Sequence, residues 1–119
     1  MNPVNVTVIE TVTASSKTIQ IQVDQEPINL TGQGQGAVVI RWQIDQQSPW
    51  SFLTPPPPQA RGIQVKNPGS AFTGGSGGPK IQTWTRNPNQ ANGQTYNYSI
   101  WVTDGTTTLS WDPSIINQP

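Results

Sequence analysis

Apolar and polar residues alternate in several short stretches of the chain. In residues 18–23, Ile19, Ile21 and Val23 fall on one side and polar residues fall on the other. A period of two is typical of a β-strand with one face in the core and one in water. Residues 4–12 alternate in a similar way and are rich in Val and Thr, which favour extended structure. The sequence therefore predicts a strand in each of these two stretches.

Two further stretches predict strands whose apolar face is in the core. In residues 38–44 every second residue is apolar, while Val39 and Arg41 point to the other face. The core-facing positions of residues 96–102 alternate strictly, and Asp104 and Gly105 follow, which favour a tight hairpin turn into residues 107–111. The side chains predicted to face the core are Val38, Ile40, Trp42, Ile44, Tyr96, Tyr98, Ile100 and Val102.

Shorter strands are predicted between these stretches, around Trp50 and Phe52 and at residues 63–65, 71–73 and 81–86. Two segments interrupt them. Four consecutive prolines at 55–58 cannot donate ladder hydrogen bonds, which favours a rigid connection or, alternatively, a ligand for a proline-binding partner. The glycine-rich residues 74–79 are expected to form a flexible loop.

The pattern as a whole predicts seven to nine short strands, with turn residues at a spacing of about 8–12 residues. No stretch has helical periodicity, so a parallel sheet with crossover helices is excluded. At 119 residues, the chain is long enough for one hydrophobic core. We therefore expect residues 1–119 to be a single all-β domain, an antiparallel β-sandwich.

Residues 92–98 resemble the tyrosine-corner region of immunoglobulin-like domains, in which a tyrosine hydroxyl anchors the preceding corner. The resemblance makes Tyr96 the corner tyrosine and Trp42 the buried tryptophan, and it puts Tyr98 where antibody domains have a cysteine. The last forty or so residues also resemble small uncharacterised bacterial proteins with immunoglobulin-like or cupredoxin-like sandwiches. These resemblances imply an immunoglobulin-like sandwich and no established activity.

The amino-acid composition excludes most kinds of enzyme active site and metal site. The chain has no His and no Cys, so it lacks the usual catalytic bases, thiolates and copper or zinc ligands, and a blue-copper site is ruled out. Asp24 and Glu26 are the nearest pair of carboxylates but are expected in a solvated turn, which leaves a small hydrolase only as a distant third reading. We expect no enzyme activity, no cofactor and no metal.

Charge and targeting signals limit the partners in a similar way. The formal net charge is zero and only 10% of the residues are charged, so neither nucleic acid nor a membrane is expected as a partner. No signal peptide is visible, and the longest apolar run is residues 37–40, which makes the cytoplasm the default expectation.

The five tryptophans are the most informative residues that remain. Trp101 has the opposite parity to its core-facing neighbours and is predicted to point outward, whereas periodicity does not orient Trp50, Trp84 or Trp111. An outward Trp101 has three explanations: packing under a proline-rich or glycine-rich loop, a place in a homo-oligomer or partner interface, or stacking against a sugar.

These observations predict a non-catalytic binding or structural module that acts through protein contact or self-association. The alternative is a carbohydrate-binding module that uses exposed tryptophans and uncharged amide groups to hold a neutral sugar. The candidate ligand or interface residues are Trp101, Trp84, Trp111 and Trp50.

Overall fold

The computed structural model describes residues 1–54 and 62–119, and these residues form eleven strands in two sheets. The described residues contain no helix, so the prediction of an all-β sandwich is confirmed, although the strands outnumber the seven to nine expected. In chain order they are β1 (Val4–Val12), β2 (Lys17–Val23), β3 (Ile28–Asn29), β4 (Val38–Gln43), β5 (Ser51–Phe52), β6 (Ile63–Val65), β7 (Phe72–Gly77), β8 (Ile81–Arg86), β9 (Thr95–Thr103), β10 (Thr108–Trp111) and β11 (Ser114–Ile116).

The first sheet has five strands in the order β2-β1-β4-β8-β7. Strand β1 runs parallel to β4 over Val4 and Asn5 only, and from Val6 onward it pairs with β2 in an antiparallel hairpin. The expectation of a purely antiparallel sandwich is therefore corrected, because the start of β1 and the short β3 both enter the sheets as parallel strands. The β1–β2 hairpin extends past the end of β4.

The second sheet is built around β9, which has nine residues and is as long as β1. Strands β10 and β11 follow one edge of β9 in a single continuous register, since Trp111 pairs with Ile100 and Ser114 with Asn97. Strands β5 and β6 pair with the other edge. The described residues that follow β5 and precede β6 are joined, because the amide of Gly62 donates to the carbonyl of Leu53 at 3.0 Å.

The core lies between β4 and β9, whose alternating faces meet across the sandwich. Trp42 and Tyr98 are completely buried, with ring centroids 5.2 Å apart and planes tilted by 56°. Burial raises the pKa of the Tyr98 hydroxyl above its ordinary value, and the nearby Trp42 indole opposes this only in part. Of the eight side chains in β4 and β9 and just after β4 that were predicted to face the core, seven are buried and Tyr96 is half-buried.

Tyr96 partly fits the role that the resemblance to immunoglobulin-like domains implies. Its hydroxyl accepts a hydrogen bond from Nδ2 of Asn92 at 2.7 Å, so it does hold the preceding corner, but through a side chain. Its ring packs edge-on against Phe72 at 4.9 Å. The assignment to an immunoglobulin-like topology stays a prediction.

The expectation for the glycine-rich segment is corrected, and the C-terminal segment forms a strand that is not among those predicted. Phe72–Gly77 is edge strand β7, not a flexible loop, because glycine tolerates the register shift between Gly74 and Gly77 that lets it follow β8. Ser114–Ile116 forms β11 after a proline that does not shift the register. The tetraproline at 55–58 lies outside the described residues.

Buried polar groups hold one end of the sandwich together, which we call the Arg86 end. The guanidinium of Arg86 is completely buried and donates to Oδ1 of Asn117 at 3.0 Å and to the carbonyls of Gly34 and Gly36 at 2.7 and 3.1 Å. Burial lowers the pKa of Arg86. Asn117 in turn donates to the carbonyl of Gln90 at 2.7 Å. Arg86 and Asn117 therefore join the β3–β4 loop, the β8–β9 loop and the segment that follows β11.

Candidate functional site

The tryptophans divide into two buried and two exposed members, apart from Trp42 in the core. Trp101 is 36% exposed and Trp111 is 39% exposed, whereas Trp50 and Trp84 are only 3% and 5% exposed. The indole of Trp84 donates to the carbonyl of Ile63 at 2.9 Å, which fixes it between the sheets. Trp50 and Trp84 are therefore core residues, and of the four candidate tryptophans only Trp101 and Trp111 reach the surface.

Trp101 points away from the core, as its parity predicts. Its amide donates to the carbonyl of Gly62, and its carbonyl accepts from the amide of Leu53. The proline-rich segment invoked to cover the indole lies outside the described residues. On the same outer face an ion pair joins Lys66 and Asp112 at 2.9 Å, and this contact lowers the pKa of the Asp112 carboxyl.

Trp111 belongs to the other side of the same sheet. It pairs with Ile100, whose side chain is buried, so its indole points toward the five-stranded sheet, although 39% of the residue stays exposed. There it borders a groove of about 350 Å³ between the last strands of the two sheets. We call this the edge groove, and it is lined by Ile19, Gln20, Ile21, Leu109, Ser110 and Trp111.

Beside the edge groove, strand β2 ends the five-stranded sheet with unpaired backbone groups. The hydrogen bonds from Asp24 N to Asn5 O and from Thr13 N to Ser16 O identify the even positions of β2 as those bonded to β1. In an antiparallel pair the alternate residues direct NH and C=O to the opposite side. The open edge therefore consists of the backbone groups of Lys17, Ile19, Ile21 and Val23, for which no described residue provides a partner.

The other strand edges of the described structure are short or irregular. Strand β3 has two residues, β7 has a register shift, and β10 has four residues before a proline. Strands β5 and β6 have only two and three residues. Such features block edge-to-edge pairing. Strand β2 has seven residues with neither proline nor glycine and no register shift, so it is the edge best suited to accept another strand.

Charge on the open edge is limited to its first residue. Nζ of Lys17 lies 3.7 Å from Oε2 of Glu10, and both side chains are about half exposed. Residues 18–23 carry no charge, and their β-branched and amide side chains favour extended pairing. Lys17 shares the parity of Ile19 and Ile21, so it is the single charge on the inner side of this edge, and residues 18–23 add no other charge of the kind that protects such strands.

A polar cleft of about 620 Å³ lies on the outer face of the five-stranded sheet, and no aromatic side chain is among its described lining residues. Asn5 and Gln43 face it and bond to each other at 2.8 Å. Since Trp101 lies on the outer face of the opposite sheet, the uncharged amides and the exposed indole do not converge. Trp101 and Trp111 also point to opposite faces of one sheet, so they form no planar row.

The carboxylates considered for hydrolysis bind backbone groups and amides. Asp24 accepts from the amide and Nδ2 of Asn5 at 2.9 and 2.7 Å, and Glu26 accepts from the amide and hydroxyl of Ser114 at 3.1 and 3.0 Å. Among the described residues, no three His, Cys, Asp or Glu side chains group as metal ligands do. The contacts of Asp24 and Glu26 join strands and turns.

Comparison of the sequence with protein-family models and with curated proteins returns no match. Within residues 1–54 and 62–119, no helix is long and apolar enough to cross a membrane. Function is therefore inferred from the geometry of the open edge and the edge groove.

Sequence reasoning had identified two elements of this site without joining them. Trp111 was a candidate by residue type, and the alternation of residues 18–23 predicted a half-buried strand. What it missed is that β2 ends its sheet and stacks on β10, which depends on long-range pairing. The absence of proline, glycine and internal charge in residues 18–23 was the available signal.

Proposed function

We propose that this protein is a non-catalytic binding or structural module of immunoglobulin-like architecture that acts through protein contact at the open edge. The observation that carries the proposal is a seven-residue edge strand beside an apolar groove with a half-exposed tryptophan. An extended segment added to β2 would gain main-chain hydrogen bonds from Lys17, Ile19, Ile21 and Val23. Its apolar side chains would lie in the edge groove against Trp111 and Leu109.

The test is a selection of extended peptides from a display library against the wild-type protein. We expect the selected peptides to shift the backbone amide resonances of residues 17–23 and the indole resonance of Trp111. Ile19→Lys should weaken them at least about tenfold, because an inward-pointing charge on an edge strand opposes strand addition. The new lysine lies directly across from Glu10, which offers it a partner in the monomer.

The matched control is Val39→Lys, which places the same charge on the exposed outer face of the five-stranded sheet. It should leave peptide affinity unchanged, and thermal melts should show that both variants fold. Peptides that bind both variants equally well, or that shift resonances far from β2, would contradict the proposal.

Carbohydrate binding remains the alternative because Trp101 is exposed. It predicts that some glycan on an array binds and changes tryptophan fluorescence, and that Trp101→Ala abolishes the effect while Trp111→Ala does not. The separation of Trp101 from the amide-lined cleft favours protein contact over this alternative.

A further inference from the structure

We infer that the strand received by the open edge is β2 of a second copy, so that the protein forms a two-fold symmetric dimer with one continuous ten-stranded sheet. This inference rests on the proposed function and names its partner. It follows from the hydrogen-bonding pattern of β2, from its side chains and from its charge.

The hydrogen-bonding pattern selects one register. Free NH and C=O groups occur only at the odd positions of β2, so two antiparallel copies must bring odd positions together in hydrogen-bonded pairs. A dyad at Gln20 pairs Ile19 with Ile21 of the second copy and Lys17 with Val23 of the second copy. All four residues of the open edge then have partners, whereas a shift by two residues leaves one of the four outside the pairing.

The side chains agree with this register on both faces of the sheet. On the inner face, Ile19 and Ile21 of one copy meet those of the other and extend the apolar surface across the dyad. On the outer face Gln20 meets Gln20 of the second copy, which allows their amides to hydrogen bond. Residues 18–23 also have the character of segments that pair with themselves: strong β propensity, no charge and no proline.

Charge permits two copies to meet. The formal net charge of the chain is zero, so the copies do not repel one another as wholes. Lys17 is the single charged residue of β2, and in this register it lies six residues from Lys17 of the second copy, about 20 Å along the strand. Each Lys17 also keeps its ion pair with Glu10 of the same copy.

The edge groove would close in the same step. Strand β10 stacks on β2, so joining two β2 strands about a dyad also brings the two β10 edges toward each other, and with them the two exposed Trp111 side chains. A symmetric contact of this kind uses the same surface on both copies and consumes it, which ends growth at the dimer. One strand pair with its groove is smaller than a standard stable interface, so the dimer should be reversible.

The first experiment is analytical ultracentrifugation over a range of concentrations. We expect the weight-average mass to rise reversibly from 12.9 kDa toward twice that value. Ile19→Lys should lower the association constant at least about tenfold, since the dimer holds two such charges, while Val39→Lys should not change it. A wild-type protein that stays monomeric at millimolar concentration, or that grows into fibres, would overturn the dimer.

The second experiment tests the register by disulfide trapping, for which the absence of native cysteine is an advantage. Across the dyad, a non-hydrogen-bonded pair places two Cα atoms about 4.5 Å apart, within the range that a disulfide bridges. Gln20→Cys should therefore trap a covalent dimer in mild oxidant. Thr18→Cys and Gln22→Cys are the controls, because each lies four residues, about 14 Å, from its own copy and should not be trapped.

The outcomes separate this inference from the proposed function. Trapping at position 18 or 22 but not at 20 would overturn the register. A monomer whose selected peptides still bind β2 would overturn the dimer and leave strand addition by another protein intact. A monomer that binds no such peptide would overturn both.

Discussion

The two ends of the sandwich differ in how their backbone polar groups are satisfied. At the Arg86 end, buried side chains bond the backbone of two loops, and both Arg86 and Asn117 are completely buried. At the other end, which we call the hairpin end, β1–β2 and β9–β10 close in tight turns, and the odd positions of β2 direct their backbone groups away from the sheet. We therefore expect stability to depend mainly on the Arg86 end, and the contact that we propose lies at the hairpin end.

The free-energy cost of burying a charged group explains why the two ends differ. A buried cation is favourable only when hydrogen bonds replace its hydration, so the Arg86 end is stable only when all of its partners are in place. The hairpin end needs no such cooperation, since each hairpin bonds its own strands. It can therefore leave an edge unpaired without unfolding the body of the domain.

Arg86→Ala should have the largest effect in this comparison. It removes the donors to Gly34, Gly36 and Asn117 and leaves their buried oxygens unpaired, so we expect the free energy of unfolding to fall by about 3 kcal/mol in chemical denaturation. Arg41→Ala is the control, because Arg41 is exposed on the outer face of the five-stranded sheet. A loss at position 86 no greater than at position 41 would contradict the assignment of stability to this end.

Gly105→Ala should have a smaller effect, at the hairpin end. Gly105 has a φ of +95° in the turn between β9 and β10, a conformation that costs alanine about 1 kcal/mol. Gly36→Ala is the control, since Gly36 has no positive φ and a Cβ there meets nothing within 4 Å. We expect denaturation to show the loss at 105 only, and hydrogen exchange to show faster opening of β10 with the Arg86 end unchanged.

Asp104→Asn should have the smallest effect, and the effect should depend on pH. Backbone amides of Thr107 and Thr106 donate to Oδ1 of Asp104 at 2.7 and 2.9 Å and lower the pKa of its carboxyl below 3.8. A lowered pKa in the folded state stabilises the protein above the unfolded pKa and ceases to do so as the pH falls through the folded value. The melting temperature of the wild type should therefore exceed that of the variant at pH 7, by less than the Gly105 effect, and the two should converge as the pH falls below 3.8. A gap that is constant with pH would show that the charge of Asp104 plays no part.

Local patterns predicted those strands whose two faces have different surroundings. Residues 81–86 were predicted with the observed bounds, and the alternation in β2, β4 and β9 placed Trp42 and Tyr98 in the core. These strands are each buried on one face, which imposes a period of two on the sequence. The outward direction of Trp101 followed from the same parity.

The features that the sequence did not predict depend on pairing between residues far apart in the chain. Ile28–Asn29 is a strand only because it lies beside β11, and the burial of Arg86 depends on carbonyls some fifty residues earlier in the chain. Neither has a periodic signal. The candidate site was predicted only in part for the same reason. The alternation of apolar residues shows which face of β2 is buried, but it does not show that β2 is the last strand of its sheet.

Leu53 and Gly62 mark a site that suits protein engineering. Leu53 and Gly62 bond to each other and to opposite backbone groups of Trp101, so the eight residues between them begin and end at nearly the same place. A Cβ on Gly62 would lie 2.7 Å from Cβ of Phe52, which keeps that position a glycine. Because both attachment points are fixed by the sheet, this is the natural place to graft a reporter peptide or a whole guest domain, on the edge of β9 opposite β10.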